Sequence, residues 1–167
     1  MNFTLIGMPT AGKSFLGKIL AKRAGFGFLD IDKIMEKEYG EKIFTIAAKL
    51  GDAGFIAKES ETIIVSTVGK NNFIISTGGS AVYGDNAMRH LRDISKIIYL
   101  KASLSAIERR IGGIPRGIIG LDKKTLKELY GERCILYEKY ADVVFNADKE
   151  HEAIIGEMIA WMRRYMA

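Results

Sequence analysis

The chain has 167 residues, 48% of them apolar and 27% charged, the size of one domain and the composition of a globular protein, which excludes a disordered or fibrous polymer. Much of the excess behind its formal charge of +5 lies in Arg109, Arg110 and Arg116 near the middle, Arg163 and Arg164 near the end, and dispersed lysines, with no run of five basic residues. That pattern argues against nucleic acid and for an anionic small-molecule substrate. A lone cysteine, Cys134, excludes an internal disulfide and an all-cysteine metal site.

No apolar run approaches the roughly 18 residues of a membrane span, and the first residues enter an apolar strand with no basic leader. A soluble cytoplasmic protein, acting as a monomer away from membranes, is expected. Residues 2–7 read as a buried strand that feeds a turn. A helix follows over 12–25 with Phe15, Leu16, Ile19 and Leu20 on one face, then a second strand over 26–32 that ends in two acids. Residues 33–39 form a helix stopped by Gly40, and 43–50 and 55–68 form two more, separated by Gly51. The third strand covers 72–77 and runs into Gly78 and Gly79. A short helix over 85–91, a fourth strand over 96–100 and a helix over 103–110 precede a loop at 111–120 rich in glycine. The longest helical pattern spans 122–140, with Asp122 as its expected cap and Leu126, Leu129, Arg133, Ile135, Leu136 and Tyr140 inside. A strand at 142–145 and a helix over 150–165 complete the chain. Five apolar strands alternating with helices predict one α/β domain over 1–167, with a parallel sheet covered on both faces. The order of the strands does not follow from the pattern.

Gly7, Met8, Pro9, Thr10, Ala11, Gly12, Lys13 and Ser14 complete an eight-residue phosphate-loop pattern, set between a strand and a helix as the motif requires. The backbone of Gly7, Pro9, Thr10, Ala11 and Gly12, with Phe15 following in the helix, is expected to surround a triphosphate at a helix N-terminus. Lys13 would reach the β- and γ-phosphates and Ser14 would ligate magnesium. Asp30 and Asp32, two residues apart at a strand end, are expected on one face of that strand, one serving magnesium and the other a substrate hydroxyl. Asp32 could accept the proton of the attacking hydroxyl. The turn of Gly78, Gly79 and Ser80 sits where ligands collect on open α/β sheets. Arg116, in a lid at about 111–121 with Arg109 and Arg110 before it, could close over the phosphates and exclude water. Arg133 sits among apolar residues, where an unpaired guanidinium is costly, so a carboxylate partner is expected from the substrate or from Glu59 or Glu61.

Taken in order, the phosphate loop, the run from Phe28 to Asp32, the run from Ile75 to Gly79, the Arg109 and Arg110 pair, Arg116, and the stretch from Arg133 to Tyr137 resemble shikimate kinases. The resemblance covers nearly the whole chain. It implies a three-layer α/β/α P-loop fold with a five-stranded parallel sheet, ATP and Mg2+ as cofactors, and transfer to the 3-hydroxyl of shikimate on the route to aromatic amino acids. It implies that Asp30 helps hold magnesium, Asp32 binds hydroxyls, Gly79 contacts substrate, Arg133 pairs with its carboxylate, and Arg110 and Arg116 serve nucleotide and lid. An elaboration at about 32–62 would hold the acceptor. Three departures stand out: Ile56 where the family pattern has arginine, Ser80 in place of a third glycine, and no proline after Arg116. Lys58 lies far round the helix from Ile56 and does not replace the arginine. The readings left open are a divergent shikimate kinase, a kinase of another small hydroxylated metabolite such as an amino-acid alcohol or sugar acid, a kinase of a nucleoside or nucleotide, and a nucleotide-binding protein without catalysis.

Overall fold

A computed structural model describes residues 1–112 and 117–166. Five strands, β1 (Asn2–Ile6), β2 (Gly27–Asp30), β3 (Phe73–Ser76), β4 (Ser95–Lys101) and β5 (Val143–Asn146), form one all-parallel sheet in the order β2-β3-β1-β4-β5. The central strand β1 is buried along its whole length, as a strand covered on both faces must be. The helices are α1 (Lys13–Ala24), α2 (Ile31–Tyr39), α3 (Ile43–Thr67), α4 (Asp85–Ile94), α5 (Leu104–Ile111), α6 (Leu126–Tyr140) and α7 (His151–Met162), with 3-10 turns at Ala81–Tyr83 and Arg163–Tyr165. Helices α1 and α7 pack together on one side, while α3 and α4 pack together on the other. The α/β layering expected from the strand pattern is therefore present.

The strand order creates the site. From β1 the chain crosses to β2 on one flank, whereas from β3 it crosses to β4 on the other. Right-handed crossovers in opposite directions leave a crevice at the C-terminal ends of β1 and β3, where their loops part. Thr77 closes the base of that crevice: its N–H and its hydroxyl both donate to the Leu5 carbonyl, at 3.2 and 3.1 Å.

Several local expectations change. The second strand stops at Asp30, not at residue 32, because Asp30 caps α2, its carboxylate accepting the Lys33 N–H at 3.3 Å. Asp30 and Asp32 therefore do not alternate along a strand; one is a helix cap and the other lies in the first helical turn. Ile31 between them is fully buried. The long helix starts at Leu126, not at Asp122, since Thr125 and Glu128 form a capping box that satisfies two N–H groups reciprocally. Ile135 is 70% exposed and not on the inner face. The two helices expected on either side of Gly51 run on as α3 across a kink, where Gly51 has φ 66° and ψ 174°.

Candidate active site

A cleft of about 650 Å³ opens over the crevice. Its floor is the phosphate loop. Gly7, at φ 147°, brings the backbone so near the Leu100 carbonyl that a Cβ there would stand 2.6 Å from the oxygen, so the turn admits glycine only. Gly12 enters α1 at φ 98°, and the free N–H groups of that helix end face the cleft. Lys13 Nζ donates to the carbonyls of Gly7 at 2.7 Å and Met8 at 2.9 Å, which aims the ammonium and leaves its third proton for a phosphate oxygen. Burial lowers the Lys13 pKa to about 8, against the opposing pull of Asp32 and Glu59.

Of the residues singled out from sequence, Pro9, Thr10, Gly12, Lys13, Ser14, Phe15, Asp32, Gly78, Gly79, Ser80, Arg110 and Arg133 all line the cleft. Gly7 and Ala11 shape the loop from behind. Arg110 ties that loop to the segment after β5, donating to the carbonyls of Thr10 at 3.3 Å and Ala147 at 3.5 Å. Phe15 is 54% exposed beside His151, with ring centroids 4.9 Å apart. Arg116 lies outside the described residues. Directly after it, Gly117, Ile118 and Ile119 line the cleft, and Gly117 packs against Phe44 and Ala47 of α3.

Asp32 stands at the cleft wall within the field of Lys13. Desolvation raises its pKa to about 6, with Lys13 pulling the other way. Asp30 does not line the cleft. It is the register partner of Ser76, whose hydroxyl lies 3.4 Å from that of Ser14. Ser14 and Asp30 thus reach the same strand ends, and a hydroxyl with a carboxylate is a donor set that magnesium takes when phosphate oxygens complete its shell. Among the described residues no cluster of three or more His, Cys, Asp or Glu side chains could hold a metal without such help.

At the acceptor end, Arg133 is 1% exposed. The carboxylate partner expected from Glu59 or Glu61 is not what it has: Arg133 donates to the Ile119 carbonyl at 2.6 Å and to the Tyr83 hydroxyl at 3.3 Å, and it lies over the Tyr83 ring. Glu61 pairs with Lys58, which also holds Glu38 at 2.7 Å, so Lys58 faces away from the cleft as expected. The turn after β3 threads a narrow space. A side-chain carbon at Gly79 would stand 2.7 Å from Pro9 and 3.1 Å from Arg133, and one at Gly78 would collide with Glu59. Tyr137 fixes this turn by donating to the Gly79 carbonyl at 2.6 Å.

Ile43, Phe44 and Phe55, which wall the cleft, and the carbonyl of Ile119 were not among the sequence candidates, and Glu59, expected only as a partner for Arg133, instead accepts the Ser80 hydroxyl from behind the cleft. No motif marks them. The signals for Glu59 were its place four residues after Phe55 in the helix and the need of Arg133 for a carboxylate. Ile56 packs half-buried against the core and is not among the cleft residues.

Residues 9–163 match the family described as shikimate kinase. The chain belongs to the shikimate kinase family. It is 33% identical to the shikimate kinase of Persephonella marina over 164 residues, 97% of this chain and 99% of that one. A shikimate kinase from Aquifex aeolicus superposes with a TM-score of 0.82 at 27% identity, covering 99% of this chain and 98% of the other. One from Acinetobacter baumannii, solved in complex with shikimate, gives a TM-score of 0.87 at 23% identity and covers 99% and 94%. Family membership makes the chain an ATP-dependent kinase that transfers phosphate to an alcohol on a small molecule. Among the described residues no helix is long and apolar enough to cross a membrane.

Proposed function

We propose that the chain transfers the γ-phosphoryl group of ATP to the 3-hydroxyl of shikimate, with magnesium as cofactor. The observation that carries this reading is the convergence, in one cleft, of Lys13, Arg133 and Asp32, the last in charge contact with Lys13. Lys13 neutralises the β- and γ-phosphates with an ammonium already aimed by two carbonyls. Ser14 and Asp30 would hold magnesium, which supplies charge neutralisation on the phosphates when bound. Arg133 anchors the acceptor carboxylate, and Asp32 orients the attacking hydroxyl and takes its proton. Arg110 braces the nucleotide side, and Arg116 closes the lid. The domain works as a cytoplasmic monomer without nucleic acid or membrane.

Ile56 favours a second reading. Without an arginine there, the acceptor end offers one guanidinium for a carboxylate, and an aliphatic chain supplies no bidentate donor. A smaller hydroxylated acid would need only Arg133 and Asp32. ADP release at saturating ATP and magnesium, measured with shikimate beside homoserine, gluconate and nucleosides, decides between them. Acceleration by shikimate supports the first reading, and acceleration only by another acceptor replaces it. Tight magnesium-ATP binding with no acceleration by any acceptor would reduce the protein to a nucleotide-binding module.

A further inference from the structure

An acceptor that anchors on Arg133 brings a negative charge to the end of the cleft where a buried acid already stands. Glu59 is 0% exposed. Its Oε2 accepts the Ser80 hydroxyl at 2.5 Å, and its Oε1 has no hydrogen-bond partner among the described residues. The charged groups that act on it are Asp32 from α2, Arg133 from α6 and Lys13 from α1, with Ser80 bonding from the turn after β3. Lys13 and Arg133 direct hydrogen bonds at carbonyls of Gly7, Met8 and Ile119. Glu59 itself is not a cleft residue, whereas Ser80 is, so the serine hydroxyl is the link between the buried acid and whatever binds. Ser80 directly follows Gly79, whose backbone passes close to Arg133.

The hydroxyl has one proton to give. While Glu59 is ionised, Ser80 commits that proton to Glu59 and shows the cleft only lone pairs, which repel an anion. Once Glu59 is protonated, its own O–H can donate to Ser80, and the serine proton is free to point into the cleft. An anion beside Arg133 favours that second state twice over: its charge raises the proton affinity of Glu59, and it supplies an acceptor for the serine proton. We propose that binding of an anionic acceptor places one solvent proton on Glu59 and turns the Ser80 hydroxyl from Glu59 to the acceptor's carboxylate, making the pair a second, uncharged anchor beside Arg133. This rests on the acceptor reading above. No covalent bond changes; one proton moves from solvent to Glu59, and one hydrogen bond reverses direction. Burial already holds the Glu59 carboxyl up at about 7, so the proton is available near neutral pH.

The test is calorimetric titration of the full chain with shikimate from pH 5.5 to 8.5, in buffers of different ionisation enthalpy. Proton uptake approaching one per shikimate is expected at the alkaline end, with affinity falling as pH rises through 7. Ser80→Ala should bind about tenfold more weakly than wild type at pH 6, the loss expected for a hydrogen bond to a charged group, and the gap should narrow as pH rises through 7, because the wild-type serine is then committed to ionised Glu59 in the free protein and must be released on binding. Glu59→Gln donates to Ser80 at every pH, so uptake should vanish and the affinity should lose its pH dependence through 7. Uptake that persists in Glu59→Gln belongs to Asp32 or Lys13 and overturns the proposal, as does a Ser80→Ala deficit that does not vary with pH. Shikimate binding without proton uptake overturns the proposal and leaves the acceptor reading standing. No shikimate binding at any pH, with magnesium-ATP binding intact, overturns the acceptor reading and the proposal with it.

Discussion

Replacing Glu59 with glutamine should change how stability depends on pH, independently of any ligand. In the folded chain, desolvation, reinforced by the Asp32 charge, holds the Glu59 carboxyl at about 7 in place of the ordinary 4.5. The folded state therefore keeps a proton that the unfolded chain releases. A raised carboxyl of this kind contributes its full stability below pH 4.5 and loses it as pH rises to about 7, because an increasing share of unfolded chains gains by ionising. At about 1.4 kcal/mol for each tenfold in proton affinity, the loss across that window is about 3 kcal/mol. Glutamine has nearly the same shape and does not ionise. Urea unfolding of both proteins at pH 4.5, 5.5, 6.5 and 7.5 should show Glu59→Gln gaining on wild type by about 2–3 kcal/mol from the acid to the neutral end. Taking the difference between the two proteins removes the titration of groups elsewhere. A difference that stays constant to within about 0.5 kcal/mol over that range, near the error of such measurements, would refute the claim that this carboxyl is held protonated by burial.

Other perturbations bear on the remaining parts of the site. Lys13→Ala should lower ATP-dependent phosphoryl transfer by about 100-fold or more, the usual cost of one preorganised charge donor, read from coupled ADP release; unchanged turnover would remove Lys13 from the mechanism. Gly78→Ala places a carbon against Glu59 and should cost about 1–3 kcal/mol as an overpacked contact, seen as a lower melting temperature together with reduced turnover, and a variant equal to wild type in both would show that the turn has room to spare. Ile56→Arg restores a bidentate donor next to Phe55 and should lower the shikimate KM about tenfold, the order expected for a charged hydrogen bond; an unchanged KM would favour another acceptor.

Much of the fold was legible because parallel strands buried on both faces read as short apolar runs, and because phosphate loops tie their glycines and lysine to fixed spacing. The acids show where this reasoning stops. Asp30 and Asp32 do reach the rim of one crevice, but through a helix cap and a helical turn, a choice made by the carboxylate of Asp30 meeting the Lys33 N–H. At the other end of the site, an arginine buried without a carboxylate partner looked forbidden from sequence. The protein satisfies it with the Ile119 carbonyl and a tyrosine, partners that lie 14 and 50 residues away along the chain and leave no local trace.

The linear chain specified its phosphate loop, since Gly7 to Ser14 is a contiguous device whose backbone geometry and charge are complete within eight residues. It also determined the alternation of strands and helices and, through the ordered motifs, the family. The strand order, which places the crevice between β1 and β3, and the approach of Glu59 to Ser80 and Asp32 came from the packing of the folded chain. A buried acid with no motif around it acquires its role from residues contributed by other elements. Burial and charge contacts across elements are properties of the folded arrangement, and no periodicity along the chain encodes them.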